Sequence, residues 1–239
     1  MARITGTSRE AGKIALDAGP EVGYKPSRSA NHRMAKSATI ALPKPLAAGR
    51  MSVEEAIAKR RSIRDYARRP IPVGMLSQIL WAAQGVTDAR AGYRAAPSAG
   101  ALYPLELYVA VTDGGVADIK AGVYRYGPEE HTITLVDGGD RRSKLKAAAH
   151  GQEQVGLAAV TLVLTGAFER SASKYGDRAA QYVFQESGHA AENVYLQSTA
   201  LGLGTVVMGA FDEDEVRRAI SLGSNEKPLY LMPIGFPRS

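Results

Sequence analysis

Helical and strand patterns interleave along this chain, which predicts an α/β or α+β fold in one domain. Three stretches carry that expectation: a capped helix start at Ser52, a continuous β-branched run from Ala158 to Ala167, and a long helical pattern from Asp177 to Leu201. The 239 residues suffice to bury a sizeable core, and the hydrophobic and charged fractions of 45% and 23% are ordinary for a globular protein. No apolar stretch approaches the roughly 20 residues of a membrane span. The N-terminus lacks the uninterrupted apolar region of a secretory signal. The chain has no cysteine, which excludes disulfides, thiolate catalysis and cysteine-ligated metals. The expected location is cytoplasmic.

The net charge of +6 is unevenly spread. Residues 1–49 carry eight Lys/Arg against three Asp/Glu, whereas residues 50–239 carry 22 against 21. The leading segment is rich in small and basic residues and punctuated by Pro20, Pro26, Pro43 and Pro45. It is expected as an extended basic arm over 1–49, with the folded domain over 50–239. A near-neutral body argues against a nucleic-acid binder, which carries its positive patch on the folded domain.

Within the body, Ser52-Val53-Glu54-Glu55 is a capping-box pattern. The helix it opens runs into a basic stretch, Arg60-Arg61-Ser62-Ile63-Arg64-Asp65-Tyr66. Three guanidiniums and a hydroxyl in five residues suit a phosphorylated, anionic, planar ligand. They equally suit a solvated helix end, where the dipole favours cations. After Pro70 and Pro72, a helix is expected from Met75 to Gln84, stopped by Gly85. Residues 85–104 read as a loop ending in Ala96-Pro97-Ser98-Ala99-Gly100-Ala101-Leu102-Tyr103-Pro104, where small residues allow close backbone approach and an aromatic can stack.

Leu105 to Thr112 alternates as a strand, and Gly122–Tyr126 with Thr132–Val136 reads as a hairpin. A short helix spans Asp140–Ala149. The 158–167 run is a central strand covered on both faces. Lys174-Tyr175-Gly176 is expected in the loop beyond it, an adjacent potential base and acid. The 177–201 helix keeps one face apolar and mostly small, as a core or dimer element. Thr205–Met208 reads as a strand, Asp212–Ile220 as a helix with Asp212 as N-cap, and Leu229–Pro233 as a last strand.

Other patterns carry less. Glu186-Ser187-Gly188-His189 is half of a carboxylate-bridged metal motif without a second copy, so no metal is expected. Gly202-Leu203-Gly204 follows a helix and precedes a strand, the wrong order for a dinucleotide fingerprint. No phosphate-loop or nucleophile-elbow sequence occurs.

Taken together, the residues from about Met51 onward resemble the nitroreductase superfamily, most closely its SagB/McbC-type dehydrogenase branch. The resemblance rests on Arg60-Arg61-Ser62-x-Arg64, the 96–104 loop and Lys174-Tyr175-Gly176. It extends through Glu186-x-Gly188-His189-x-x-x-Asn193, Gly202-Leu203-Gly204-Thr205, Gly209-Ala210-Phe211 and Pro233-Ile234-Gly235-Phe236-Pro237. It implies an α+β three-layer sandwich with a mainly antiparallel sheet, dimerised with FMN at the subunit interface. By the same resemblance Arg60, Arg61 and Ser62 bind the phosphate and ribityl chain, and Arg64 lies near the N1/O2 edge of the ring. Pro97, Ser98, Ala99, Gly100 and Tyr103 belong to a loop reaching the other subunit's flavin. Gly204 is included in the cofactor site, Gly209 and Ala210 face N5, and Arg238 is a further phosphate ligand. Ala101 and Tyr103 stand where general nitroreductases carry Asn and Gln, a feature of the SagB-type branch. In azoline-oxidising members a Lys-Tyr pair is the catalytic base element, which Lys174 and Tyr175 match.

The resemblance therefore implies an FMN-dependent oxidoreductase that moves hydride through flavin N5. It would run from NAD(P)H to a nitroaromatic or quinone, or oxidise an azoline-type heterocycle in a small molecule or peptide. The alternative is a non-catalytic flavin-binding or partner-docking protein.

Overall fold

The computed structural model describes residues 38–238. In chain order the strands are β1 (Thr39–Ala41), β2 (Val86–Asp88), β3 (Tyr93–Arg94), β4 (Leu105–Val111), β5 (Gly122–Gly127), β6 (Thr132–Gly138), β7 (Val160–Gly166), β8 (Gly204–Thr205) and β9 (Lys227–Gly235). The helices are α1 (Val53–Lys59), α2 (Val73–Gln84), α3 (Arg142–Ala148), α4 (Glu153–Leu157), α5 (Phe168–Tyr175), α6 (Ala179–Ala200) and α7 (Glu213–Ala219).

Seven strands form one sheet in the order β1-β6-β5-β4-β7-β9-β8, and β2 pairs only with β3. Every pairing in the large sheet is antiparallel. Period-two alternation sends neighbouring side chains to opposite faces. In β4, Leu105, Leu107, Val109 and Val111 pack toward α2 and α6, while Tyr108 and Ala110 pack toward α3 and α7. Val163 of β7 stands opposite Tyr108 and shares the second face. Both faces are thus apolar, which explains why all seven residues of β7 are buried. Burying each such side chain contributes about 1.5–3 kcal/mol. The result is the α+β sandwich with an antiparallel sheet that the resemblance implies. No helix among the described residues is long and apolar enough to cross a membrane.

Several local expectations are corrected. Lys174 and Tyr175 are not in a loop: they form the last turn of α5, which ends at Gly176 with φ of 51°. This eight-residue helix is too short to announce itself by periodicity, and packing holds it. Phe168 meets Phe184 and Tyr175 meets Tyr182 edge-on, at 5.6 and 4.9 Å between ring centroids. The strand expected over 205–208 keeps only Gly204–Thr205 in the ladder, with a further bridge from Met208 to Leu231. The 85–104 loop contains the β2–β3 ribbon and a short 3-10 turn at Ala99–Ala101. Helix α2 starts at Val73, because Pro72 occupies its N-cap. Residues 1–37 of the expected arm lie outside the described residues, and Thr39–Ala41 form the edge strand against β6.

Candidate functional site

Helix α1 begins as the capping box requires, with Ser52 Oγ accepting from Glu55 N at 3.1 Å. Past Lys59 the chain straightens and is fastened to the sheet end. Ser62 bridges Thr205, Ile63 N donates to Thr205 O at 2.9 Å, and Tyr66 bridges Pro237. Ile63 packs so tightly on Gly204 that a Cβ there would come within 2.6 Å of it, which requires the glycine. Tyr66 is fully buried, its hydroxyl 2.6 Å from Ile63 O and 3.0 Å from Pro233 O. Burial raises its pKa, keeping it a neutral donor. With Ile63 and Tyr66 anchored inward, Arg61 and Arg64 are exposed and Arg60 half-buried.

These guanidiniums have no carboxylate partner among the described residues. Arg60 stacks over the Tyr195 ring at 5.0 Å. Arg61 donates to the carbonyls of Ala58 and Arg60, at 3.1 and 2.7 Å, closing the end of α1. Arg64 reaches only Ser62 O, at 3.5 Å. Tyr195 OH lies 3.0 Å from Ser62 Oγ and accepts from Val207 N at 2.9 Å, so α6 ties the basic run to the segment that continues to Gly209 and Ala210. Gly209 and Ala210 are exposed, and Ala210 O accepts from Gln152 Nε2 at 3.0 Å. Arg238 joins this group through its amide, which donates to Asp65 O at 3.1 Å, and its guanidinium lies 3.6 Å from the Asp65 carboxylate.

A second group gathers at the 97–103 loop. Ser98 Oγ accepts from Tyr103 N at 2.9 Å, closing the loop on itself. Gly100, Ala101 and Tyr103 all have positive φ, of 62°, 53° and 47°. Gly100 lies against the end of α5: a Cβ there would fall 2.6 Å from Tyr175 OH and 2.8 Å from Lys174 Nζ. The loop and the Lys-Tyr pair, with Gly100 and Lys174 74 positions apart in sequence, therefore meet. Arg94 lies over the Tyr103 ring at 4.6 Å, Arg170 donates to Tyr103 O, and Asn193 donates to Ala95 O at 3.3 Å.

The structure thus holds the expected residues in two groups. Arg60, Arg61, Ser62, Arg64, Gly204, Gly209, Ala210 and Arg238 share one, and Pro97 to Tyr103 with Lys174 and Tyr175 share the other. Among the described residues, no hydrogen bond or ion pair joins them. Sequence reasoning missed Tyr195, which links parts of the first group, and took Glu186, beneath the second, only as part of two motifs and not as a site residue. Burial pushes the Glu186 pKa up to about 7, against the opposing effects of nearby Ser98, Gln84, Arg94 and Arg170. Its signal was available: a carboxylate three residues after Val183 on an otherwise small, apolar face. The His189 ring of the same Glu-x-x-His pattern is exposed, and no metal-ligand cluster occurs among the described residues.

The fold is thus an antiparallel sheet between two helical layers, with a basic run fastened at the sheet end. The model of the nitroreductase family matches residues 57–236, and the chain belongs to that family. It is 45% identical over 185 residues to the Methanocaldococcus jannaschii protein MJ1384, described as a nitroreductase, covering 77% of this chain and 91% of that one. A structure from Ralstonia eutropha JMP134, also described as a nitroreductase, superposes with a TM-score of 0.74 at 32% identity, over 84% of this chain and 90% of that chain. The microcin B17-processing protein McbC of Escherichia coli is 27% identical over 129 residues, which span 53% of this chain and 47% of McbC. The resemblance to the McbC-type branch therefore has a counterpart among known relatives.

Proposed function

We propose that this oxidoreductase uses FMN and transfers hydride through it, with the two residue groups of the site drawn from different subunits of a homodimer. One observation carries the reading: Arg64, on a segment fastened to the sheet, has no partner among the described residues but a carbonyl at 3.5 Å, and Tyr195 ties that segment to the strand end leading to the exposed backbone at Gly209 and Ala210. A cation held in place yet unused by the fold is fitted to an anionic ligand. The residues fit FMN in a second respect. A Cβ at Gly209 would meet nothing closer than Tyr230 at 3.9 Å, so the protein's own packing does not require a glycine, and the small residues leave room for a flat ring.

When bound, FMN supplies reversible hydride transfer at N5. Arg60, Arg61 and Ser62 would hold its phosphate and ribityl chain, with Arg238 as a further phosphate contact and Gly204 keeping Ile63 seated beneath them. Arg64 would favour the anionic reduced ring. Pro97, Ser98, Ala99, Gly100 and Tyr103 would present the loop to the partner's flavin. That arrangement agrees with the lack, among the described residues, of a hydrogen bond or ion pair between the two groups within one chain. Lys174 Nζ and Tyr175 OH, crowded against Gly100, would take and return protons at the substrate.

The donor on this reading is NAD(P)H with a nitroaromatic- or quinone-like acceptor, or the substrate is itself an azoline-type heterocycle. The adjacency of Lys174 and Tyr175 to the loop favours the second, as does kinship to a peptide-processing protein. No nucleic acid or membrane is invoked, and the working compartment is the cytoplasm. The test is the anaerobic visible spectrum of the purified protein before and after NADH or NADPH. A flavin spectrum that bleaches supports the reductase reading. One that bleaches only with an azoline peptide supports the heterocycle reading. No flavin, even after FMN is offered, overturns the assignment of Arg60 to Arg64.

A further inference from the structure

Beneath the 97–103 loop lies a carboxyl that the proposed function leaves unused. Glu186, on the inner side of α6, is only 2% exposed. A carboxylate in such a place is costly unless it is paired, and this one is not fully paired. Its Oε1 has no hydrogen-bond partner among the described residues, and neither has Nε2 of Gln84, which is buried at the end of α2. The idle acceptor and the idle donor belong to neighbouring side chains, and Ser98 of the loop is a neighbour of Glu186 as well.

The charged groups around them come from two other elements, Arg94 from β3 and Arg170 from α5. Both are already committed, Arg94 to Glu129 at 2.7 Å and Arg170 to Glu106 at 2.6 Å. His189, on the next turn of α6, is exposed. Such a site has two good arrangements. Ionised, Glu186 accepts from the Gln84 amide and the Ser98 hydroxyl. Neutral, it becomes a donor itself, and the Ser98 hydroxyl is released or must accept.

Ser98 carries that difference outward. Its Oγ already accepts from Tyr103 N at 2.9 Å, and Gly100, between those two residues, is the point of contact with Lys174 and Tyr175. We propose that Glu186 is a positioning residue, whose gain or loss of a proton resets the hydrogen bonding of Ser98 and thereby the seat of Gly100 against Lys174 and Tyr175. Burial favours the neutral form, so the exchange falls in a range the working protein meets. The consequence for catalysis rests on reading Lys174 and Tyr175 as the proton-moving pair; the coupling itself does not depend on bound flavin.

The test uses two readouts on the full chain without added cofactor, in the wild type, E186Q and S98A. The first is resistance to urea as a function of pH. A carboxyl whose pKa rises from 4.5 unfolded to about 7 folded contributes stability that is complete below 4.5 and is lost as pH climbs toward 7. That decline is expected in the wild type and S98A, and absent in E186Q. The second is the fluorine resonance of Tyr175 in protein labelled with fluorotyrosine, assigned by Y175F. It should shift with the Glu186 titration in the wild type and stop following it in both variants. Should E186Q fail to fold, S98A still decides: a Tyr175 signal that tracks pH unchanged without the Ser98 hydroxyl overturns the coupling. A stability decline that persists in a folded E186Q overturns the titration of Glu186. Neither outcome touches the FMN assignment, which the visible spectrum judges separately.

Discussion

Two sets of three arginines lie on this protein, and they are treated in opposite ways. Arg94, Arg125 and Arg170 line a cavity of about 790 Å³ beside β4 and β5, and each meets a carboxylate. Arg94 pairs with Glu129 at 2.7 Å, while Arg125 and Arg170 grip the two oxygens of Glu106 at 2.8 and 2.6 Å. Arg60, Arg61 and Arg64, at the other site, meet rings and carbonyls instead. The first set is spent on the fold. Within the second, no carboxylate among the described residues compensates the charge, which sits on a segment fastened to the sheet, and uncompensated charge is what a ligand can use. The distinction lies in the partners, since the residue type is the same.

The largest expected effect that would break this comparison comes from R64A. If Arg64 serves a ligand alone, the variant should bind FMN about 10–100-fold more weakly, the value of one charge-assisted hydrogen bond. Its resistance to urea should stay within about 0.5 kcal/mol of wild type, as for a surface change that touches nothing structural. Fluorescence titration with FMN and an unfolding curve check both halves. A stability loss with unchanged affinity would place Arg64 in the first set. The mirror experiment is E106Q. Glu106 is 12% exposed and holds two guanidiniums that are 50% and 39% exposed, so solvent screens much of the loss. A destabilisation of about 1–2 kcal/mol is expected, with FMN affinity unmoved. A loss of affinity without destabilisation would make the cavity part of the ligand site.

The same contrast explains what could be read in the sequence. The basic run was legible because charge at the end of a capped helix is visible in the residue order alone. The long strands and α6 were legible because their periodicity runs over many residues. The partners were not legible. Nothing in the order of residues says that Glu106 holds Arg125 and Arg170, or that Gly100 touches Tyr175, because those contacts arise only when the sheet register and the α5–α6 packing are set. Short elements were missed for a related reason. Helix α4 and the β2–β3 ribbon have too few residues to show a period, and the tertiary context stabilises them. Glu186 was read with His189 as half of a metal motif, when its position on the apolar face of α6 was the more telling fact.

The smallest effect concerns the other end of the described chain, where a histidine performs the opposite titration to Glu186. His131 lies beside Pro43 and fastens the segment that follows β1. Its Nε2 is 3.1 Å from Pro43 O and 2.7 Å from Ser77 Oγ, and its Nδ1 is 2.8 Å from Tyr126 OH. Ser77 Oγ donates to Pro43 O at 2.5 Å, so it accepts from Nε2–H, and Nδ1 is left to accept from the tyrosine. The network is complete only for the neutral imidazole. A proton on Nδ1 would face the hydroxyl that now donates to it. Burial accordingly lowers the His131 pKa below 6.5, despite the opposing bond to Pro43. A lowered pKa contributes stability that is present above 6.5 and lost as pH falls through the folded value. The size expected is about 1 kcal/mol, that of a hydrogen bond in a half-buried site. Hydrogen exchange at Leu42, whose amide donates to His131 O at 3.1 Å, should therefore quicken, beyond the intrinsic effect of pH, on acidification below 6.5. H131A should remove that acid-dependent component while loosening the amide at every pH. An acid-dependent loosening that survives in H131A would assign it to another group. Because no hydrogen bond or ion pair among the described residues joins the Arg60–Arg64 segment to this knot, FMN affinity should stay level throughout, which a folding-wide effect of acid would not permit.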